Sequence, residues 1–284
     1  MGSDTHTLQV GSARVTVLNV GDLGVTPAEW FTKQKREWSA RHGDALERHT
    51  QVPVYCAHIA VGNLSLVVDA GRYDAPPDSE YFLPGYQPPP DPLIRLGQMG
   101  VRAQDVTHVV ITHGHGDHYN GVTVERDGAH APSFPNARHY LGRADWERAE
   151  TQAALQDPTS AVSCTLGVLH KTGLLELVNG DRDLGHGVRI IATPGETPGH
   201  QALRVTSEGQ TLYCVGDLFH HPMEVENPAW MVDWADAESN LLSRQALIEN
   251  ALAEDALLVV THIREIGRLQ RTPEGVAWAG IHAE

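Results

Sequence analysis

The stretch Thr112-His113-Gly114-His115-Gly116-Asp117-His118 decides the fold, and it directly follows the apolar run Val109-Val110-Ile111. Three imidazoles and a carboxylate so close together cannot all be buried without partners, because an unpaired buried polar group is costly. The apolar run is typical of a strand that delivers its end to a cleft. We therefore expect bound cations at the loop that follows it.

The spacing within this loop directs its side chains toward two neighbouring points. His113 and His115 lie two residues apart on an extended segment and can reach one cation, whereas Asp117 and His118 follow the turn and can reach a second. Gly114 and Gly116 are expected to let the backbone turn tightly. Neutral imidazole and carboxylate suit zinc, iron, cobalt or manganese, so the residues alone leave the metal open. A histidine-rich surface loop is the alternative.

Composition and charge limit the classes of function. At 284 residues the chain is long enough for one large domain or two small ones, and its 41% hydrophobic content is ordinary for a globular protein. A formal net charge of −15 argues against nucleic acid or an anionic membrane as partner, since both require basic surface.

Targeting and redox signals are weak. No apolar run approaches membrane-spanning length, and the first residues lack a basic region followed by an apolar stretch, so we expect a cytoplasmic chain with no membrane partner. Cys56, Cys164 and Cys214 are far apart and form no C-x-x-C motif. They are expected to be reduced, structural thiols.

Periodicity predicts an alternation of strands and helices. The predicted strands cover residues 13–20, 106–111, 137–141, 174–178, 188–192, 202–206 and 211–215, with a hairpin formed by 52–60 and 64–69. The predicted helices cover residues 143–155 and 237–253 with a short one near 93–96, and residues 76–92 form a proline-rich loop. In the helix over 237–253 the apolar residues Leu241, Leu242, Ile248 and Leu252 are expected to face the core.

Residues 27–49 have a charged helical pattern in which Trp30, Phe31 and Trp38 are the apolar points. Such aromatic side chains pack on the body of a protein or on a second subunit. They could instead belong to a lid over the substrate. Residues 1–50 are thus an N-terminal strand with a helical extension that forms either a lid or a contact in a homodimer.

Two further polar residues stand at strand ends. Asp69 closes the second strand of the predicted hairpin and is either a turn residue or the orienting partner of a metal-bound histidine. His200 follows two Pro-Gly turns in Thr193-Pro194-Gly195-Glu196-Thr197-Pro198-Gly199-His200, which hold it in a rigid loop. Beside a metal loop, His200 is a plausible further ligand.

The chain contains two short internal echoes. Leu212-Tyr213-Cys214-Val215-Gly216-Asp217 resembles Leu66-Val67-Val68-Asp69, and Val259-Val260-Thr261-His262 resembles Val109-Val110-Ile111-Thr112-His113. They predict two similar halves, each pairing an apolar strand with a metal-binding residue at its end.

The segment between Asp217 and His262 supplies a candidate substrate pocket. Phe219, Met223 and Trp230 are expected to line an apolar pocket, and His220 is grouped with them. Because adjacent residues diverge on a strand, at most one of His220 and His221 faces the metals, and neither is assigned as a ligand.

The pattern T-H-x-H-x-D-H followed by G-H, G-D and T-H resembles the metallo-β-lactamase superfamily over nearly the whole chain. The resemblance implies one domain over residues 1–284, an α/β protein built as a four-layer αβ/βα sandwich of two mixed sheets with helices on the outer faces. It implies two divalent metal ions, foremost Zn²⁺, with Fe, Co or Mn as alternatives. The first ion would bind His113, His115 and His200, the second would bind Asp117, His118 and His262, and Asp217 would bridge both.

The residues after Gly216 are similar to the branch that contains methyl-parathion hydrolase, chlorothalonil dehalogenase and quorum-quenching lactonases. This implies a binuclear hydrolase in which a metal-bridging hydroxide attacks a lactone or another ester, with a possible side activity on organophosphate triesters. Asp117 or Asp217 would pass the proton to the leaving group. The alternatives are a mononuclear iron dioxygenase of the persulfide type, a thioester hydrolase like glyoxalase II, and a ligand-sensing module without turnover.

Overall fold

The computed structural model describes residues 5–281. These residues form two seven-stranded sheets and one two-stranded ribbon. The strands, in chain order, are β1 (Thr5–Val10), β2 (Ala13–Val25), β3 (Thr50–Val61), β4 (Leu64–Val68), β5 (His108–Val110), β6 (Thr123–Arg126), β7 (Ala129–Pro132), β8 (Arg138–Gly142), β9 (Leu175–Val178), β10 (Arg182–Gly185), β11 (Val188–Ala192), β12 (Gln201–Ser207), β13 (Gln210–Cys214), β14 (Leu257–Val259), β15 (Gly267–Thr272) and β16 (Gly275–Gly280).

The helices lie mainly in the connections between these strands. They are α1 (Pro27–Trp30), α2 (Lys35–His42), α3 (Pro92–Gln98), α4 (Gly116–Tyr119), α5 (Arg143–Trp146), α6 (Ala149–Ala154), α7 (Ala161–Cys164), α8 (Leu166–Lys171), α9 (Met223–Glu226) and α10 (Ala237–Ala253). Short 3₁₀ turns cover Thr32–Gln34, Ala45–Glu47 and Ala103–Asp105.

Both large sheets are mixed. The first has the order β1-β2-β3-β4-β5-β8-β9, with antiparallel pairing from β1 to β4 and parallel pairing from β4 to β9. The second runs from β10 to β16 in sequence order, and its one parallel pair among the described strands is β13 with β14. Parallel neighbours end at the same edge of a sheet, so the loops that follow them meet there.

The two echoes in the sequence correspond to the same arrangement in each sheet. In the first sheet β4 pairs in parallel with β5, and Leu66 lies opposite His108. In the second sheet β13 pairs in parallel with β14, and Leu212 lies opposite Leu257. Each pair therefore delivers an aspartate and a histidine-bearing loop to one edge, as the prediction of two similar halves requires.

Buried apolar side chains form layers on both sides of each sheet. The cluster between the sheets joins residues such as Val17 of β2 to Ile190 of β11. A second cluster packs Leu169 of α8 against the outer face of the first sheet, and a third packs Leu247 of α10 against the second sheet. The layers are thus helix, sheet, sheet, helix, and the predicted sandwich of two mixed sheets with helices outside is confirmed.

Two predicted helices differ from the structure. Residues 143–155 form two helices, α5 and α6, because Arg148 is extended with φ −56° and ψ 141°. Residues 27–49 form short helices and 3₁₀ turns rather than one helix. The aromatic residues there are not exposed, since Phe31 and Trp38 pack with Met223 and Val232 in a fourth buried cluster. The homodimer stays a prediction.

Helix α10 has the predicted bounds, and the side chain of Asp236 caps it by accepting a hydrogen bond from the Ser239 N–H. Ile248 is buried and Leu252 packs against the same apolar cluster, as predicted, but Leu242 is 61% exposed. The residues that face the core include Asn240, Arg244 and Leu247. Leu242 is two positions from both Asn240 and Arg244, which is about 200° around the helix, so it faces away from the core.

The remaining expectations concern thiols and membranes. Cys56, Cys164 and Cys214 are all free, and burial raises the pKa of Cys56 to about 12, which fits a structural thiol. Over residues 5–281, none of the helices combines the length and the apolar character needed to cross a membrane.

Candidate metal centre

The candidate site lies at the edge where the loops after β5, β11, β13 and β14 meet. The loop after β5 brings His113 and His115, and the short helix α4 that follows brings Asp117 and His118. Gly114 and Gly116 both lack a positive φ, so the turn does not depend on the left-handed conformation expected for glycine. The other loops bring Glu196 and His200, Asp217, and His262.

The potential ligand atoms fall into two groups. In the first, atoms of His113, His115, Glu196 and Asp217 all lie within 4.8 Å of one another, and in the second the same holds for Asp117, His118 and His262. The sequence prediction that His113 and His115 face one point and Asp117 and His118 another agrees with this division.

Asp217 belongs to the first group and also lies beside the second. Its Oδ2 atom is 3.7 Å from His113 Nε2, 3.3 Å from His118 Nε2 and 3.2 Å from His262 Nε2. Asp117 Oδ2 lies 3.5 Å from the Nε2 atoms of both His118 and His262. Asp217 therefore faces histidines of both groups, whereas Asp117 faces those of the second group alone.

The donor atoms fit bound cations. The Nε2 atom of His118 and the Oδ1 atom of Asp217 are both buried and have no hydrogen-bond partner. Burying such atoms without partners is costly, and divalent cations would satisfy both. The donors are imidazole nitrogens and carboxylate oxygens, which suit zinc and its first-row neighbours.

The Nδ1 atoms of three histidines, on the side of each ring away from Nε2, make hydrogen bonds that fix the orientation of the rings. His118 Nδ1 lies 2.8 Å from Asp69 Oδ2, and His262 Nδ1 lies 2.8 Å from the carbonyl oxygen of Pro53. His200 Nδ1 lies 2.8 Å from Thr193 Oγ1. Such outer contacts are typical of metal-binding histidines, because they fix the tautomer and aim the other nitrogen.

Asp69 is both a turn residue and the orienting partner of a candidate metal-binding histidine, the two roles that the sequence offered as alternatives. It is a turn residue with φ 52°, and its carboxylate contacts His118 and accepts hydrogen bonds from the Thr112 N–H at 2.7 Å and the Thr112 hydroxyl at 2.9 Å. Burial raises the pKa of Asp69, although His118 opposes that shift.

Neighbouring carboxylates favour the charged form of His118 in the second group. Burial would lower the pKa of His118, but Asp217, Asp117 and Asp69 raise it well above its ordinary value. Burial would raise the pKa of Asp217, but His262 and His118 bring it well below its ordinary range. The carboxylate of Asp217 and the imidazole of His118 thus each favour the charged form of the other.

The histidines of the first group and the adjacent His200 favour the neutral form. Burial lowers the pKa of His113 well below its ordinary value, and it lowers that of His200 to about 3. Neutral imidazole is the form that binds a metal ion.

His200 lies at the back of the first group. Its ring centroid is 5.2 Å from that of His113, and its Nε2 accepts a hydrogen bond from the Asp217 N–H at 3.2 Å. Gly216 has φ +55°, and a Cβ there would lie 2.9 Å from His200 Nε2. The glycine thus permits the close approach of the two loops. The assignment of His200 as a ligand stays a prediction.

Glu196 is a site residue that the sequence reasoning missed. Its side chain is fully buried, and Oε1 lies 3.4 Å from His115 Nδ1 and 3.7 Å from His220 Nε2. Burial and Asp217 raise the pKa of Glu196 to about 7, against the opposing effect of His220. Its place four residues before His200, between two Pro-Gly turns, was the available signal.

His220 enters the site, whereas His221 turns away. His220 Nε2 lies 3.5 Å from Asp217 Oδ2. Burial would lower its pKa, but Glu196 and Asp217 raise it to about 9. His221 instead accepts a hydrogen bond at Nδ1 from the Met223 N–H. The expectation that at most one of the two histidines faces the metals agrees with this placement.

Asp145 is the second residue that sequence reasoning missed. Its Oδ2 atom accepts hydrogen bonds from the Gly114 N–H and the Thr197 hydroxyl, and its Oδ1 accepts one from the Gly199 N–H, each at 2.7 Å. A Cβ at Gly199 would lie 2.5 Å from the Asp145 nitrogen, so glycine is required for this approach. Asp145 thereby joins the loops that carry His115 and His200, and no local motif indicates it.

A cavity of about 530 Å³ opens beside the two groups. Its lining combines the polar residues His115, Asp117, Glu196, Asp217, His220 and His262 with the aromatic residues Trp30, Tyr81 and Trp234 and with Arg148. The volume is that of a small-molecule site.

Of the predicted substrate pocket, only His220 lines this cavity. Phe219 is buried against Arg244, whose guanidinium lies 5.1 Å from its ring centroid. Met223 belongs to the buried cluster around Trp38, and Trp230 packs against His42. The correction has a physical reason: residues 218–230 fold back onto α10, and the aromatic wall comes from residues near 30, 81 and 234 instead.

The fold agrees with solved structures over almost its whole length. A hydrolase of the beta lactamase superfamily, AbOPH, has a TM-score of 0.78 at 19% identity, covering 100% of this chain and 99% of that one. AidC, a dizinc quorum-quenching lactonase solved with the product N-hexanoyl-L-homoserine, has a TM-score of 0.73 at 18% identity, covering 99% and 98%. At these identities the likeness concerns the fold.

Relatives found by sequence align over a smaller part of the chain than these structures do, but at higher sequence identity. An N-acyl homoserine lactonase from Bacillus sp. is 26% identical over 223 residues, which are 74% of this chain and 81% of the relative. The N-acyl homoserine lactonase AiiA of Bacillus thuringiensis subsp. kurstaki is 26% identical over 167 residues, covering 55% and 60%.

The sequence profile described as Metallo-beta-lactamase superfamily matches residues 49–262. This span contains every candidate ligand, from His113 to His262. The predictions that the chain is a member of this superfamily and that it is a hydrolase are confirmed. The chain belongs to the metallo-beta-lactamase superfamily.

Proposed function

We propose that the protein is a binuclear metal-dependent lactonase that hydrolyses N-acyl homoserine lactones or closely related esters. The observation that carries the proposal is the position of Asp217 Oδ2, within 3.7 Å of histidine nitrogens from both ligand groups. Two divalent cations held by these residues would lower the pKa of a water molecule to about 7 and polarise the scissile carbonyl.

We assign the ligands as the resemblance implies, with zinc as the foremost metal. His113, His115 and His200 hold the first ion, Asp117, His118 and His262 hold the second, and Asp217 faces both. The clustering of His113, His115 and Asp217 and of Asp117, His118 and His262 supports this set apart from His200, whose inclusion rests on the resemblance. The dizinc site of the lactonase AidC, which shares the fold, favours zinc over iron, cobalt or manganese.

The accessible carboxylate is the better proton carrier. The side chain of Asp117 is 28% exposed and lines the cavity, whereas that of Asp217 is 4% exposed. Asp117 Oδ2 can therefore take up a proton and transfer it to the leaving oxygen of an opened lactone ring. The role of Asp217 is to supply a negative charge that both metal ions would share.

The cavity wall supports an acyl substrate. Trp30 and Trp234 meet edge to face with centroids 6.2 Å apart, and Tyr81 lines the same cavity. Such surfaces favour an acyl chain or aryl group over a highly charged substrate. Organophosphate triesters, which are uncharged, are a second substrate class that this wall would accept.

The test is metal content per chain combined with turnover of a hexanoyl and a decanoyl homoserine lactone. We expect about two metal ions and hydrolysis of both lactones. Asp217→Asn should lose metal and several orders of magnitude in kcat, because it weakens the one carboxylate that faces both groups. His220→Ala should leave the metal content unchanged.

Full metal occupancy and full activity in Asp217→Asn would refute the bridging assignment. A single iron per chain with no lactone hydrolysis would refute the lactonase and favour the dioxygenase. Two metals with turnover of thioesters alone would favour a hydrolase like glyoxalase II.

A further inference from the structure

We propose that Glu196 is a protein ligand of the first metal ion, in addition to His113, His115, His200 and Asp217. The proposal rests on the binuclear site proposed above. It concerns a residue that the metal-binding motifs do not contain, and it makes this half of the site richer in oxygen donors.

The position of Glu196 Oε1 is that of a second donor to a shared ion. It lies 3.4 Å from His115 Nδ1, and both residues belong to the group whose ligand atoms lie within 4.8 Å of one another. Donors at about 2.1 Å from one ion, separated by an angle of about 90–110°, are about 3.0–3.4 Å apart. The observed spacing falls at the upper end of that range.

The other oxygen of Glu196 has no partner. Oε2 is buried without a hydrogen bond, and the side chain is 0% exposed. The imidazole of His220 lies 3.7 Å from Oε1, which is an ion-pair distance but too long for a hydrogen bond, and Oε2 stays without a partner. A carboxylate buried in this way is costly unless a cation faces it.

The carboxylate is held in place from outside the site. The Trp234 Nε1–H donates a hydrogen bond of 2.6 Å to Glu196 Oε1. The backbone around it is fixed by the Gly195 N–H, which donates to Thr197 O at 3.0 Å, and by the Asp236 N–H, which donates to Gly195 O at 2.8 Å. Ligating carboxylates are characteristically oriented by such outer hydrogen bonds.

An added carboxylate changes which metal the first position prefers. With Glu196 the ion would have five protein donors, two of them carboxylates, instead of four. Tetrahedral sites of few donors suit zinc, whereas higher coordination with carboxylate oxygen suits manganese. We therefore expect the first position to discriminate less against manganese than a site without Glu196.

The test compares Glu196→Gln with wild-type protein in two measurements that do not depend on turnover. Chelator competition gives the affinities for zinc and manganese, and the visible absorption of the cobalt-loaded protein reports coordination number. In Glu196→Gln we expect a loss of roughly tenfold or more in affinity at one of the two positions, larger for manganese than for zinc. We also expect a stronger cobalt absorption, since fewer donors remain.

Two further variants sharpen the test. Asp74→Asn removes another carboxylate from the wall of the same cavity but outside both ligand groups, so it should leave affinities and spectrum unchanged. Trp234→Phe keeps an aromatic ring but removes the hydrogen bond to Glu196, and it should weaken the same position by a smaller factor. It also tests the proposal if Glu196→Gln does not fold.

The outcomes separate this inference from the proposed function. Two metals and lactone turnover in the wild type, with unchanged affinities and cobalt spectrum in Glu196→Gln, would refute the role of Glu196 alone. Equal losses in Asp74→Asn would also refute it, because they would show a general effect of charge. Absence of metal binding in the wild type would refute both.

Discussion

Asp145 links the two metal-binding loops because its carboxylate accepts three hydrogen bonds from them. Two of its donors are backbone N–H groups, of Gly114 and Gly199, which lie next to His115 and His200 in the chain. A residue that contacts neither substrate nor metal can thus set the distance between ligands. Asp145 is a positioning residue.

Replacing Asp145 by Asn should destabilise the protein by about 1–3 kcal/mol, because the amide group can accept fewer of these three hydrogen bonds. Metal affinity should fall by about 10–100-fold, as for other outer partners of metal ligands. Urea unfolding and chelator titration measure the two effects. Asp157→Asn, which alters an exposed carboxylate that caps only Thr159, is the control. Equal small effects in both variants would contradict the role of Asp145.

His139 makes stability depend on pH outside the metal centre. Burial lowers its pKa from 6.5 to about 4, so the unfolded chain takes up this proton at higher pH than the folded protein does. The stability contributed by the neutral ring is therefore complete above pH 6.5 and is lost as pH falls toward 4.

The predicted loss is about 1.4 kcal/mol per pH unit, or about 2 kcal/mol between about pH 6.5 and about pH 5. His139→Leu should remove this component and flatten the pH dependence. Urea midpoints for the two proteins across this range provide the measurement. Parallel curves would show that His139 does not carry the effect.

At the level of elements, residues 218–230 are shaped by a buried ion pair with α10. Arg244 is fully buried and donates to Glu224, and it also donates to the carbonyl oxygen of Leu218 at 2.7 Å. Glu224 in turn accepts hydrogen bonds from the N–H groups of His220 and His221. The helix thereby fixes the turn that places His220 in the cavity.

Arg244→Met should cost about 3–5 kcal/mol, because it leaves the Glu224 carboxylate buried without its partner. The double variant with Glu224→Gln should recover part of this loss. Arg204→Met, which breaks the partly exposed pair with Glu254, should cost about 1 kcal/mol or less. Urea denaturation of the four proteins would test this, and an Arg244→Met cost equal to that of Arg204→Met would contradict it.

At the scale of the whole molecule, the ligand groups connect the two sheets. His113 and His118 follow β5 of the first sheet, whereas Asp217 and His262 follow β13 and β14 of the second. The Nε2 atoms of His113, His118 and His262 all lie within 3.7 Å of Asp217 Oδ2. Bound metal ions would therefore cross-link the two halves of the sandwich.

Removal of metal should lower the thermal stability of the entire protein. A ligand at a thousand times its Kd stabilises the folded state by about 4 kcal/mol, which corresponds to a Tm change of roughly 10 °C for a protein of this class. Calorimetry with and without a chelator measures the shift, and added metal should restore the original Tm. A Tm that does not respond to chelator would contradict a cross-linking role.

Much of the fold was predictable from local patterns. Helix α10 has the predicted bounds, and strands β11, β12 and β13 match their predictions to within about one residue at each end. Their apolar periodicity and flanking turns lie within a few residues of each other, so they need no knowledge of distant partners. The N-terminal segment and residues 143–155 were less predictable, because packing around Trp38 and Asp145 overrides helix propensity there.

By itself, the sequence determined the division of His113, His115, Asp117 and His118 into two groups, because a short loop after one strand has few ways to aim its side chains. Only the tertiary structure decided that Glu196, Asp145 and Trp234 belong to the site. Their contacts join residues 31 to 54 positions apart, and such distances close only when sheets and helices pack. It also decided that Phe219 and Met223 fill the core rather than the pocket, because the buried Arg244 draws residues 218–230 inward.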